Sequence, residues 1–161
     1  MNNAKRPRPS RPHMPGYGLP KGSRGLLTWD WAERRLRKSH NYWISTARPD
    51  GTPHTMIVWG LWFDRQFYFS TGAKSRKARN LAVTPRCVVC TEQANAAVIV
   101  EGSACRTREP SLLKRFAALY QKKYGWDMSD SAEPVYAVSP RVAFGLYERK
   151  FTGSATRWKF R

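Results

Sequence analysis

The chain has 161 residues, with 29 Lys and Arg against 11 Asp and Glu for a net charge of +18, and 41% apolar residues. That balance suits one compact domain with a buried core and excludes collagen-like, mucin-like and wholly disordered chains. No apolar run approaches the roughly 18 residues of a membrane span, and no apolar stretch follows the basic N-terminus as in a secretory signal. Cys87, Cys90 and Cys105 are too few for a disulfide framework, so the reducing cytoplasm is the expected compartment.

Charge is unevenly spread. Residues 1–25 carry Lys5, Arg6, Arg8, Arg11, Lys21 and Arg24 without one acid, and five prolines besides. Such a segment has little apolar surface to offset its ordering entropy, so it reads as a basic, Pro-rich flexible arm ahead of a domain spanning 26–161. The plain reading is a solvated tail, and the sharper one an arm that contacts anions or folds over a neighbouring subunit.

From Leu26 the chain patterns into elements. Thr28 is a candidate N-cap for a helix over Trp29–Ser39, with acids early and bases late as the helix dipole prefers. Strands follow over Asn41–Ala47 and His54–Phe63, joined by Arg48-Pro-Asp-Gly-Thr52, whose Pro and Gly suit a turn. Asp64-Arg65-Gln66 makes a tight hairpin into a strand over Phe67–Thr71. A helix over Ser75–Val83 ends at Thr84-Pro85. A strand pair, Arg86–Glu92 and Ala96–Arg108, precedes a helix opened by Pro110 and running to Tyr124. After a loop over 125–133, short strands are expected at Pro134–Val138, Val142–Tyr147 and Thr156–Phe160. The pattern is mainly β (α+β), a small antiparallel barrel of six to seven strands with two to three helices.

The stretch richest in chemistry is Phe67-Tyr-Phe-Ser-Thr-Gly-Ala-Lys-Ser-Arg-Lys-Ala-Arg-Asn-Leu81. A strand ends in the hydroxyls of Ser70 and Thr71, a glycine turn follows, and a helix opens with Ser75, Arg76 and Lys77. A helix start offers free N–H groups and a positive dipole end, hence an anion site, and Arg and Lys add a bidentate fork and a point charge. Cations at a helix start oppose its dipole unless an anion is present. No Walker or Rossmann glycine pattern accompanies them.

These residues, with Tyr42-Trp-Ile-Ser-Thr-Ala, Pro53-His54, Val58-Trp-Gly60, Pro85-Arg86, Val100-Glu-Gly-Ser-Ala104 and Ala155-Thr-Arg-Trp-Lys-Phe160, resemble the pyridoxamine 5′-phosphate oxidase-like superfamily in its flavin/deazaflavin oxidoreductase branch. The resemblance implies a split β-barrel of the flavin-reductase type, forming a homodimer with two cofactor sites at its interface. It implies that Ser75, Arg76 and Lys77, with Lys74 close by, hold a flavin phosphate. Ser70 and Thr71 would contact the ribityl chain or phosphate, and the backbone of Ile57, Val58 and Trp59 would lie along the ring. Arg157 and Trp158 would close the pocket across the interface. The cofactor would be FMN or the deazaflavin coenzyme F-420, and the reaction hydride transfer with a small unsaturated organic substrate. No counterpart of the C-terminal segment that completes the substrate site of true pyridoxamine phosphate oxidases follows Phe160-Arg161, so vitamin B6 chemistry is not expected, and Ile57 stands where many relatives have proline.

No catalytic acid or base stands out; His54, beside a turn, reads as solvent-facing more readily than as a proton carrier. Cys87 and Cys90 have metal-like spacing, but on a strand they point to opposite faces, so no metal is expected. Two other classes fit the composition: a basic small-barrel nucleic-acid-binding module, and a non-catalytic flavin or haem carrier on the same fold.

Overall fold

The computed structural model describes residues 6–160. Eight strands and four helices run in the order β1 (Pro9–Ser10), α1 (Trp29–Lys38), β2 (Asn41–Ala47), β3 (Pro53–Phe63), β4 (Gln66–Ser70), α2 (Arg76–Val83), β5 (Arg86–Thr91), β6 (Ala96–Thr107), α3 (Pro110–Tyr124), β7 (Val135–Tyr147), α4 (Phe151–Ser154) and β8 (Thr156–Lys159). All pairings are antiparallel. The sheet order is β1-β8-β7-β4-β3-β2-β5-β6, and β6 also pairs with β7, which closes six strands into a barrel with β8 and β1 added along β7. This is the split β-barrel expected from the sequence, with one more strand and one more helix.

Local chemistry accounts for most element ends. Thr28 caps α1, Glu109 caps α3 ahead of Pro110, and Gly125 closes α3 at φ 68° in the left-handed region. Asp64 and Arg65 both take positive φ, the signature of the two-residue turn that matches strand twist.

One expectation is corrected. The strands anticipated at Pro134–Val138 and Val142–Tyr147 are one continuous β7, because the register against β6 slips between Glu101 and Gly102, leaving Pro140, which has no N–H, opposite Gly102. A Cβ on Gly102 would lie 2.4 Å from the Ser139 carbonyl oxygen, so the bulge needs glycine.

Two cores hold the sheet. The barrel interior is filled by Trp29, Leu36, Tyr42, Ile44, Trp62, Phe67, Val89, Val100 and Trp158. On the outside, α3 lays Phe116 and Tyr120 over Leu61, Phe63, Tyr68 and Val135. That helix covers the half of β3 paired with β4 and leaves the other half bare, with Ile57 51% exposed and Trp43 opposite it 43% exposed.

Within the segment expected as a flexible arm, Pro9 and Ser10 pair with Trp158 and Arg157 of β8. No described helix is long and apolar enough to cross a membrane.

Candidate functional site

β4 carries Ser70 and Thr71 to a turn that α2 leaves at once. Ser75 is the N-cap: the Ala78 N–H donates to its Oγ at 3.2 Å, and that Oγ lies 3.1 Å from Thr71 Oγ1. The turn is drawn tight by Ser75 N–H to the Gly72 carbonyl at 2.9 Å and pinned from outside by Ala73 N–H donating to Glu133 Oε2 at 2.8 Å. The Ser70 hydroxyl donates to the Pro134 carbonyl at 3.1 Å, leaving its lone pairs to accept.

Electrostatically the corner is unbalanced. The first turn of α2 contains no acid but does contain Arg76 and Lys77, and Lys74 is exposed beside them. Among the described residues the ion pairs are Arg6–Asp30, Arg37–Glu33 and Arg115–Asp64, none of them on α2. Partial burial pushes the Lys77 ammonium below the ordinary lysine range. Two cations placed against a helix dipole without an ion-pair partner among the described residues form a site that an anion would stabilise.

Next to this corner β3 has an open edge. Its register with β4 starts only at Gly60, whereas β2 pairs with it from Pro53 to Trp59. From Pro53 to Val58, therefore, one edge of β3 has no strand partner among the described residues. A bare edge inside an otherwise closed barrel offers a row of backbone donors and acceptors to whatever lies along it. The Val58 side chain is buried in the barrel, so only its backbone is available there.

Trp59 sits where this edge meets α3. Its ring stacks on Tyr124 with centroids 4.6 Å apart, and His40 meets its edge. Beneath, Lys123 Nζ donates to Tyr42 Oη and to the Gly60 carbonyl, both at 2.9 Å. Burial pushes its pKa down to about 8, and the Glu92 carboxylate partly offsets this.

Ser70, Thr71, Lys74, Ser75, Arg76 and Lys77 thus gather at one corner, with Ile57, Val58 and Trp59 on the adjoining strand. Arg157 and Trp158 do not join them. Ser70 is opposite Val135 and Arg157 opposite Phe144, nine residues apart along β7, a contour of roughly 30 Å. Trp158 needs correction: its indole is 0% exposed, wedged against Trp29 and the bare Cα of Gly145, so it is a core residue and not a pocket wall. Arg157 points outward and is half-buried.

Cys87 is buried and Cys90 half-buried on opposite faces, both thiols pushed up by burial, and no metal-ligating cluster exists among the described residues. His54 is half-buried opposite Thr46. A cleft of about 810 Å³ between α3 and the loop after it is lined by Arg106, Lys114, Phe116 and Met128 and contains none of the predicted residues.

Sequence reasoning missed Glu133, Lys123 and Tyr124. Each acts on a residue about sixty positions away, and no local pattern marks such a contact.

A closed six-strand antiparallel barrel with two further strands along β7 defines a split-barrel protein. The chain belongs to the pyridoxamine 5′-phosphate oxidase family, whose sequence pattern it matches over residues 29–146. Solved structures agree on the fold. A conserved hypothetical protein from Mycobacterium tuberculosis superposes with a TM-score of 0.68 at 24% identity, over 77% of this chain and 87% of that one. General Stress Protein 26 from Bacillus anthracis gives 0.62 at 19% identity, over 72% and 91%. A protein named F420 reductase gives 0.56 at 20% identity, over 69% and 94%. The fold also occurs in HutZ, the haem storage protein of Vibrio cholerae. No curated protein matches the sequence.

Proposed function

We propose that the protein is an oxidoreductase that holds a flavin-type cofactor, FMN or the deazaflavin coenzyme F-420, between the α2 corner and the open edge of β3. The observation that carries this reading is the pair Arg76 and Lys77 at a helix start, neither of them in an ion pair among the described residues, while the nearby Glu133 carboxylate is taken by the Ala73 N–H. The residues fit the group. Ser75, Thr71 and the first N–H groups of α2 suit phosphate oxygens, Arg76 supplies a fork, and Lys77 supplies a charge that an anion would restore to its ordinary range. The unpaired backbone of β3 suits the polar edge of a planar ring, with Trp59 held rigid at its end. When bound, such a cofactor carries hydride; the protein binds it, orients it and keeps water away.

One chain does not complete the site. Registered across the barrel, Ile57, Trp43, Cys90, Ile99, Phe144 and Arg157 form one outward-facing row, apolar except for the arginine at its end. A second copy packed on this row would cover Trp43 and Ile57 and bring its own Arg157 towards the cofactor, so the working unit is a homodimer. The substrate is a small unsaturated organic molecule, admitted between the two subunits.

The test is mass spectrometry of the ligand that co-purifies from a host able to make both cofactors, followed by titration of the stripped protein with each. Micromolar or tighter uptake of one of them supports the reading. Binding of neither overturns it. Haem co-purifying in place of either cofactor would make the protein a carrier, as the relationship to HutZ permits.

A further inference from the structure

The segment before α1 does more than trail from the barrel. Ser10 sits opposite Arg157 in the β1–β8 register, and its hydroxyl donates to the Arg157 carbonyl at 3.2 Å. With its proton so placed, the Ser10 oxygen presents a lone pair that accepts from Arg157 Nε at 3.3 Å. The side chain is therefore held by Nε alone. Among the described residues its two terminal amino groups, the bidentate end of a guanidinium, make no hydrogen bond.

Arg11 fastens the segment that carries Ser10. Its Nη1 donates to the carbonyls of Gly153 at 2.8 Å and Ala155 at 3.2 Å, its Nη2 to Arg24 at 2.6 Å, and its Nε to Gly22 at 3.2 Å. One guanidinium thus clamps the chain on both sides of β1, before α1 and before β8. Pro7 and Pro12, buried on either side, fix the backbone direction and add no donor to compete in the ladder. Of these carbonyls, those of Gly153 and Ala155 belong to the far end of the chain, so Arg11 ties the segment to the approach to β8 as well as to its own continuation towards α1.

We propose that Ser10 is a positioning residue of the cofactor site, orienting the Arg157 guanidinium so that its terminal amino groups face an anionic or carbonyl-bearing edge of the cofactor held by a second copy. The proposal rests on the flavin-type reading above. It makes the N-terminal segment, fixed by Arg11, a part of the binding machinery.

A double-mutant cycle on the full chain tests it, with FMN and coenzyme F-420 as the probes, affinity read by fluorescence titration and folding by thermal melting. Ser10→Ala weakens binding of the cognate cofactor three- to tenfold while the protein stays folded with only a small drop in melting temperature, as loss of its two hydrogen bonds across β1 and β8 predicts. Ser10→Thr, which keeps the hydroxyl, binds as the wild type. Arg157→Ala weakens binding at least tenfold, and Ser10→Ala added to it costs nothing further, because the serine acts only through the arginine. Additive losses, or a Ser10→Ala protein that binds normally while Arg157→Ala does not, overturn the proposal. Failure of the underlying reading looks different: the protein altered at Arg76 and Lys77 would then bind as the wild type, whatever Ser10 does.

Discussion

Tyr124 lies flat on Trp59, ring planes within 2° and centroids 4.6 Å apart, and the same tyrosine's hydroxyl accepts the Gly60 N–H at 2.9 Å. The last turn of α3 therefore finishes what β2 leaves undone, satisfying β3 at Gly60 while holding the tryptophan at the end of the open edge. Lys123, one residue earlier, supplies the donor for the Gly60 carbonyl and reaches inward to Tyr42. The rigid end of this edge is thus made by a helix that contributes nothing to the α2 corner.

Lys123 should give stability a pH dependence. Its folded pKa near 8 lies below the usual 10.5, so between those values the folded protein binds fewer protons than the unfolded chain. Stability then rises with pH from about 8 towards 10. Above that the phenols of Tyr42 and Tyr124, held protonated by burial, pull the other way. Thermal melts between pH 7 and 9.5 should show the rise in the wild type and its flattening in Lys123→Met. An equal slope in both would remove this account.

The proposed anion site at the start of α2 makes the second prediction. Arg76→Ala combined with Lys77→Ala should weaken cofactor binding at least tenfold. The far-ultraviolet circular dichroism and the melting temperature should hold or improve, because two cations that oppose the α2 dipole are gone. Titration of the stripped double variant decides it, and undiminished affinity removes the phosphate assignment.

Trp158 belongs to the core, and its replacement should show as lost stability. Trp158→Ala leaves a cavity beside Trp29 and should cost about 3–5 kcal/mol in urea unfolding. Gly145→Ala tests the same wall from the other side, since a Cβ there would lie 2.7 Å from the Trp158 ring. If either variant kept its stability and lost only cofactor affinity, Trp158 would be a pocket residue after all.

The outward row predicts the oligomeric state. A carboxylate at Trp43 or Ile57, placed by Trp43→Asp or Ile57→Asp, should dissociate a dimer built on that face without unfolding the barrel, because both side chains point away from it. Light scattering of wild type and variants at micromolar concentration reads this directly. A monomeric wild type would rule out the shared site.

Much of the fold was written locally. Strand-forming residues between turns marked β2 through β6, the caps and turn residues set α1 and α3 within a residue, and the strand–hydroxyl–glycine–basic-helix run from Phe67 to Leu81 could be read as one unit, because each depends on neighbours a few positions apart. Other features required the closed barrel. The two strands expected at Pro134–Val138 and Val142–Tyr147 became one only when the bulge opposite Gly102 absorbed the residues between them. Trp158 looked available until the barrel closed over it, and Arg157 and Ser10 became neighbours only when the two ends of the chain met in β1 and β8. The open edge of β3 is of this second kind: β4 turns away after Ser70, and pairing between strands is decided by which partners the packed core brings alongside, information that no window of sequence contains.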